Sequence, residues 1–249
     1  MIDALGWGGL AIGAAALFLA GFARGYAGFG LSAIIVAALT LLLPPAEIVP
    51  IAILLEVTAS ILQAPGIWRR IDWRTLVLLL VGASAGNPVG VAGLVWLSAD
   101  TARILIAFII ILASLLLLCG IKAHRASGTL ASVGAGFVSG VANGLSALGG
   151  LPIALLLVAR DGSPRVMRAT MIGYFFLLDS YAGVLFAYQG LMTGEVAGRY
   201  ATGLPLALAG LYIGGRQFTK STPTSFRKIV FGLLIALSVI GLIKGAFGP

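Results

Sequence analysis

The sequence predicts an all-α polytopic membrane protein made of two inverted repeats of about five helical segments each. Three observations carry that expectation. The 249 residues are 60% hydrophobic and only 10% charged, with a mean hydropathy of +1.10, far from the balance of soluble domains. Apolar runs of roughly 20 residues, the length that crosses a bilayer, follow one another with short polar interruptions. Glycine and proline landmarks of the first half recur, in order, in the second. No stretch is polar enough for a separate soluble unit, so residues 1-249 read as one integral membrane domain: repeat one at 1-121, a linker at 122-128 and repeat two at 129-249.

Taken in order, the N-terminal MIDALGWGGL has an acid and no basic region before its apolar run, so it reads as the first helix and not as a cleaved signal peptide. Hydropathy places first-half segments at 4-23, 28-43, 46-65, 75-97 and 102-121. After KAHRASG, a second set falls at 129-148, 151-159, 169-188, 197-218 and 226-246. The first two segments of each half are separated by a glycine-rich break, FARGYAGFG (Phe22 to Gly30) and VANGLSALGG (Val141 to Gly150), and form a hairpin. The arm at 151-159 is too short to span, which favours at least one re-entrant arm. Asn87-Pro88 lies inside the fourth segment, where proline removes a backbone hydrogen bond and predicts a helix break or a plain kink.

The duplication rests on offsets. Gly86, Gly90 and Arg103 correspond to Gly210, Gly214 and Arg227, each 124 residues on; Gly21, Phe22 and Gly25 recur as Gly136, Phe137 and Gly140 at 115; Pro45 recurs as Pro164 at 119. Glycines spaced by four are mainly a close-packing device between membrane helices. Orientation follows from the basic residues, which collect in cytoplasmic loops. Arg69, Arg70 and Arg74 mark one such loop, Lys122 and Arg125 a second, Arg160, Arg165 and Arg168 a third, and Arg216, Lys220, Arg227 and Lys228 a fourth. The loops near Glu47, Asp100 and Glu195 are then outside, and the later spans of the two halves run in opposite senses, as in many secondary transporters.

Non-helical backbone is tolerated at membrane depth only inside protein or beside a water-filled cavity, so both breaks face inward. The arm after each break opens a helix whose N-terminus presents free N-H donors and partial positive charge. Two such ends, converging, suit an anion. Arg24 adds a planar fork of donors matched to carboxylate, sulfonate or phosphate oxygens. Tyr26, Asn143 and Ser146 supply neutral hydrogen bonds, and Gly25, Gly28, Gly30, Gly149 and Gly150 complete the candidate substrate-binding set. A second reading makes Arg24 a positive anchor at a membrane face. Glu56 and Asp179 lie deep in apolar spans, where ionisable groups are costly and mark function by default. They either pair with Arg24 or couple protons. At an offset of 119, Asp179 matches Ser60, one turn beyond Glu56.

Several function classes are disfavoured. Cys119 is the single cysteine and His124 the single histidine, so neither a disulfide framework nor a Cys/His metal cluster is available, and no cofactor is expected. GYAGFG lacks the preceding strand that a dinucleotide loop needs. An intramembrane enzyme using Glu56 or Asp179 as acid or base has no supporting nucleophile or metal ligands. A passive anion channel remains an alternative to a carrier. Partners are a small anion and the bilayer, with protons or sodium as coupling ions and glycine pairs that leave room for a homodimer face; nucleic acid is not among them.

The glycine-rich break after the first helix, the prolines of LLLPPAEIVP, the loop RRIDWR followed by GASAGNPVG, and the second copy GFVSGVANGLSALGGLP together resemble the sulfite exporter TauE/SafE-type family, also called the toluene-sulfonate uptake permease family. The resemblance covers essentially the whole chain. It implies a transporter of the bacterial inner membrane for sulfite, sulfonates such as sulfoacetate, or related anions. Arg24 and Tyr26 interrupt the family's usual glycine run at the first break.

Overall fold

A computed structural model describes residues 2-118, 128-159 and 163-217, together with Ile235 and Val239. The expectations for Cys119, His124, most of the linker and the segment at 226-246 lie outside the described residues. The described residues form α-helices and one 3-10 turn, without a strand: α1 (Ile2–Ala27), α2 (Leu31–Leu39), α3 (Pro45–Gln63), the turn at Trp68–Arg70, α4 (Trp73–Trp96), α5 (Ala99–Leu118), α6 (Thr129–Ser146), α7 (Gly150–Ala159), α8 (Pro164–Tyr188) and α9 (Gly194–Gln217). Five of them, in α1, α3, α4, α5 and α8, are long and apolar enough to cross a membrane.

Local chemistry sets the ends. Pro45 and Pro164 open α3 and α8, where a missing N-H costs nothing and φ is preset for helix. Asp72 caps α4 by accepting from the Thr75 N-H at 3.1 Å and the Thr75 hydroxyl at 2.6 Å. α6 stops at Ala147, which is left-handed at φ 56, while the Leu148 N-H turns back to the Ala142 carbonyl. α2 is shorter than the apolar run at 28-43 suggests: Gly30 at φ 99 holds its entry, and turns follow Leu39. With 9 and 10 residues, α2 and α7 are each about 14–15 Å long, half of a hydrocarbon core about 30 Å thick.

Of the two alternatives at Asn87-Pro88, a break or a plain kink, the break is corrected: α4 continues through the site as helix. Proline frees the carbonyl of the residue four earlier, Ser84, and that carbonyl accepts the Tyr181 hydroxyl of α8 at 3.4 Å. A neighbouring helix thus supplies a replacement partner.

The glycine pairs pack on one another. α1 lies along α9, and α4 along α6, at backbone contact. A Cβ at Gly21 would overlap the Ala207 carbonyl, one at Gly25 that of Leu211, and those at Gly210 and Gly214 the carbonyls of Phe18 and Phe22. In the other seam Gly82, Gly86 and Gly90 meet the carbonyls of Val133, Phe137 and Val141, while Gly136, Gly140 and Gly144 meet those of Leu79, Ala83 and Asn87. Small residues that let backbones touch are how helices associate in lipid, where no hydrophobic effect drives them together. α3 and α8 pack against each other at the centre and are the most enclosed of the five apolar spans. Arginines brace the acid-bearing helix starts: Arg199 of α9 pairs with Glu47 of α3 and, at 3.3 Å, with Glu195 of its own helix, whereas Arg103 pairs with Asp100 within α5 at 2.6 Å and donates to the Thr40 carbonyl at 2.9 Å.

Candidate functional site

Arg24 sits in the last turn of α1 and is completely buried. A buried charge is tolerable only when paired and hydrogen-bonded, and every part of this guanidinium has a neighbour. One terminal nitrogen donates to the Gly28 carbonyl and the other to the Ser60 hydroxyl at 2.7 Å. The Phe175 ring covers its face, with the guanidinium carbon 4.7 Å from the ring centre. Its Nε lies 3.1 Å from Glu56 Oε2. That last contact is an ion pair by distance, but its angle is poor, and neither atom makes a hydrogen bond among the described residues.

Glu56, on α3 and equally buried, points its other oxygen at the start of α2. There Ser32 donates twice to Oε1, from its N-H at 3.2 Å and from its hydroxyl at 2.7 Å. Gly30, just before α2, takes the positive φ that lets the chain leave the break and begin a helix aimed at this carboxylate. The helix N-terminus therefore does hold an anion, as helix dipoles and free N-H groups favour. In this structure the anion is the protein's own glutamate.

The second break is organised by Asn143 and Asp179. Asn143 Nδ2 donates to Asp179 Oδ1 at 2.9 Å, and its Oδ1 accepts the Gly149 N-H at 3.3 Å. Ser139 donates to the Gly149 carbonyl at 2.6 Å and its hydroxyl is 2.7 Å from that of Tyr174. Asp179 Oδ2 and both polar side-chain atoms of Asn87 are buried with no hydrogen-bond partner among the described residues. The two breaks meet through α8. Phe175 stacks on Arg24, and a Cβ at Gly150 would come within 2.5 Å of its ring. Asp179 also lies within electrostatic reach of both Glu56 and Arg24. Two cations and two acids gather here: Arg24 faces Glu56, Asp179 stands beside them bonded to the Asn143 amide, and Arg168 lies within electrostatic reach of Arg24.

Of the residues the sequence singled out, Arg24, Gly28 and Glu56 come together at one break, and Asn143, Gly149 and Asp179 at the other. Arg24 is enclosed by protein on all sides. The Gly25 carbonyl accepts Arg168 Nη2 at 2.9 Å. Tyr26 is buried and stacks on Phe22 with ring centres 6.3 Å apart. Ser146 donates to the Ala142 carbonyl of its own helix at 2.7 Å. Gly30 contributes the turn and Gly150 the close approach of Phe175. Sequence reasoning missed Ser32, Ser139, Phe175 and Arg168 as site residues, and used Ser60 only as a landmark of the duplication. Ser32 and Ser139 had a usable signal, since each lies within a turn or so of a glycine break; Arg168 was read only as a loop charge.

A family model described as sulfite exporter TauE/SafE matches residues 13–241. The chain is similar to a curated protein described as a probable sulfite/organosulfonate exporter TauE of Cupriavidus necator, with 27% identity over 219 residues that cover 84% of each chain. No solved structure matches.

Proposed function

The chain belongs to the sulfite exporter TauE/SafE family, and from that premise we propose that it is a secondary transporter of the bacterial inner membrane that carries a small sulfur-containing anion by alternating access. Sulfite and organosulfonates are the substrates this reading assigns, in line with the description of the Cupriavidus necator relative. The observation that carries it is a fully buried arginine beside a helix N-terminus, between two glycine breaks. Arg24 and the Ser32 donors hold the anion's oxygens, and the donors around Gly149 and Gly150 approach it from the other break. Tyr26 and Ser146 shape the two tips.

The inverted architecture has its own support. α1 with α9, and α6 with α4, are the same pairing taken from opposite halves, since each joins the first segment of one half to the fourth segment of the other. α3 and α8 are the third segments of their halves and face each other at the centre. In this arrangement the two short helices α2 and α7 are re-entrant arms.

Electrostatics limit the cycle. Asp179, a fully buried carboxylate in the middle of α8 within electrostatic reach of Glu56 and Arg24, is the residue this reading assigns to proton coupling. A monoanion leaving a cell that is negative inside gains about 2.3 kcal/mol per 100 mV, so export can run on the membrane potential, while a proton carried with the anion removes that dependence.

The test is flux of radiolabelled sulfite and sulfoacetate in proteoliposomes, with and without a pH gradient. Saturable flux with counterflow is expected, and Asp179→Asn is expected to lower its response to the pH gradient at least tenfold. Fast flux without counterflow would instead indicate a passive channel, and no movement of any sulfur anion under any gradient would overturn the transporter reading.

A further inference from the structure

We infer that Glu56 is a resident substitute for the transported anion, and that substrate binds by displacing its carboxylate from Ser32 and Arg24. This rests on the transporter reading and adds a mechanism of exchange. Three of the four neighbours of the Arg24 guanidinium are fixtures of the fold: the Gly28 carbonyl of the break, the Ser60 hydroxyl of α3 and the Phe175 ring of α8. Only the Nε edge faces a group that is itself an oxyanion. There the contact is close at 3.1 Å but poorly directed, and neither Arg24 Nε nor Glu56 Oε2 completes a hydrogen bond among the described residues. The well-made bonds of Glu56 are those at Oε1, from the two donors of Ser32.

A helix-opening N-H, an adjacent hydroxyl and a guanidinium edge form a donor set for two oxygens of one anionic group. A sulfite or sulfonate group offers the same pair of oxygens that the carboxylate offers, so the two ligands compete for one place. Exchange leaves the charge around Arg24 unchanged, with one anion in and one carboxylate out. An empty, uncompensated guanidinium in the interior is thereby avoided at every stage. Glu56 would thus set substrate affinity by competition, and it is distinct from Asp179, which makes no ion pair among the described residues and is not part of the exchange.

The test compares wild type with Glu56→Gln, which keeps the volume and the acceptor for Ser32 but removes the charge, and with Glu56→Ala, which vacates the place. Sulfite binding by calorimetry is expected to be at least tenfold tighter in Glu56→Gln than in wild type. Glu56→Ala is expected to be stabilised in thermal unfolding by sulfite, sulfoacetate and formate, with wild type responding far less to formate. Unchanged or lost binding in a folded Glu56→Gln, with wild type still transporting sulfite, would overturn the inference and leave the transporter reading intact. A Glu56→Ala variant stabilised by formate alone, in a protein that binds no sulfur anion, would uphold the exchange and overturn the sulfur-anion reading.

Discussion

Arg24 and Glu56 form a pair whose halves cannot be removed separately without a penalty. With Arg24→Ala, Glu56 keeps the Ser32 donors but loses its counter-charge, and stranding one member of a buried pair costs about 3–5 kcal/mol. The double variant Arg24→Ala/Glu56→Gln removes both charges and is expected to recover most of that loss. Thermal unfolding in detergent measures both, and an Arg24→Ala protein as stable as wild type would count against a structural share for the pair. The charged members of the site were legible in the sequence because charge deep in an apolar run stands out. Which acid pairs with Arg24 was not legible, since both Glu56 and Asp179 lie in the third span of a half, and the choice is made by the packing of α1, α2 and α3. Ser60 and Phe175 were silent for a different reason: a lone hydroxyl or an aromatic ring in a membrane segment barely alters its hydropathy.

At the scale of helices, the glycines of one helix divide by what lies beside them. Gly140 of α6 faces the Ala83 carbonyl and the Asn87 backbone, whereas Gly134 of the same helix is exposed with nothing within 4 Å of an added Cβ. Gly140→Ala must push α4 and α6 apart and is expected to cost about 1–3 kcal/mol, the usual range for overpacking. Gly134→Ala has no such obstacle and is expected to be neutral, or to gain up to about 1 kcal/mol from helix propensity. Melting temperatures of the two variants under one condition test the contrast, and equal losses would argue against the seam. Helix positions over the described residues were readable from hydropathy, but α2 was drawn too long because the turn after Leu39 is Thr40 followed by three leucines, which keeps the apolar run going. At Pro88 a break and a plain kink were both open, and the partner that accompanies the continuous helix, the Tyr181 hydroxyl 97 residues away in sequence, is invisible to any local reading.

At the scale of the molecule, the acids near Glu47, Asp100 and Glu195 were expected on the outer side from charge placement alone. Arg199 ties the starts of α3 and α9 to one another through Glu47 and Glu195, which fits that grouping for those two acids, while the Arg103–Asp100 pair lies within α5. The order of glycines that suggested a duplication is also the order in which the seams form, because the residues that repeat are the ones at which backbones touch. Those seams have a further meaning for the assembly. Each of them, like the α3 and α8 contact, joins a helix from before the linker to one from after it, so the chain is laced across its own midpoint. Covalent continuity between the halves is then dispensable for holding them together. A chain supplied as two pieces, one ending at residue 121 and one beginning at residue 129, is expected to copurify from a single membrane when coexpressed. Failure of the pieces to associate, with each inserted on its own, would mean that the lacing is too weak to do without the peptide bond it spans.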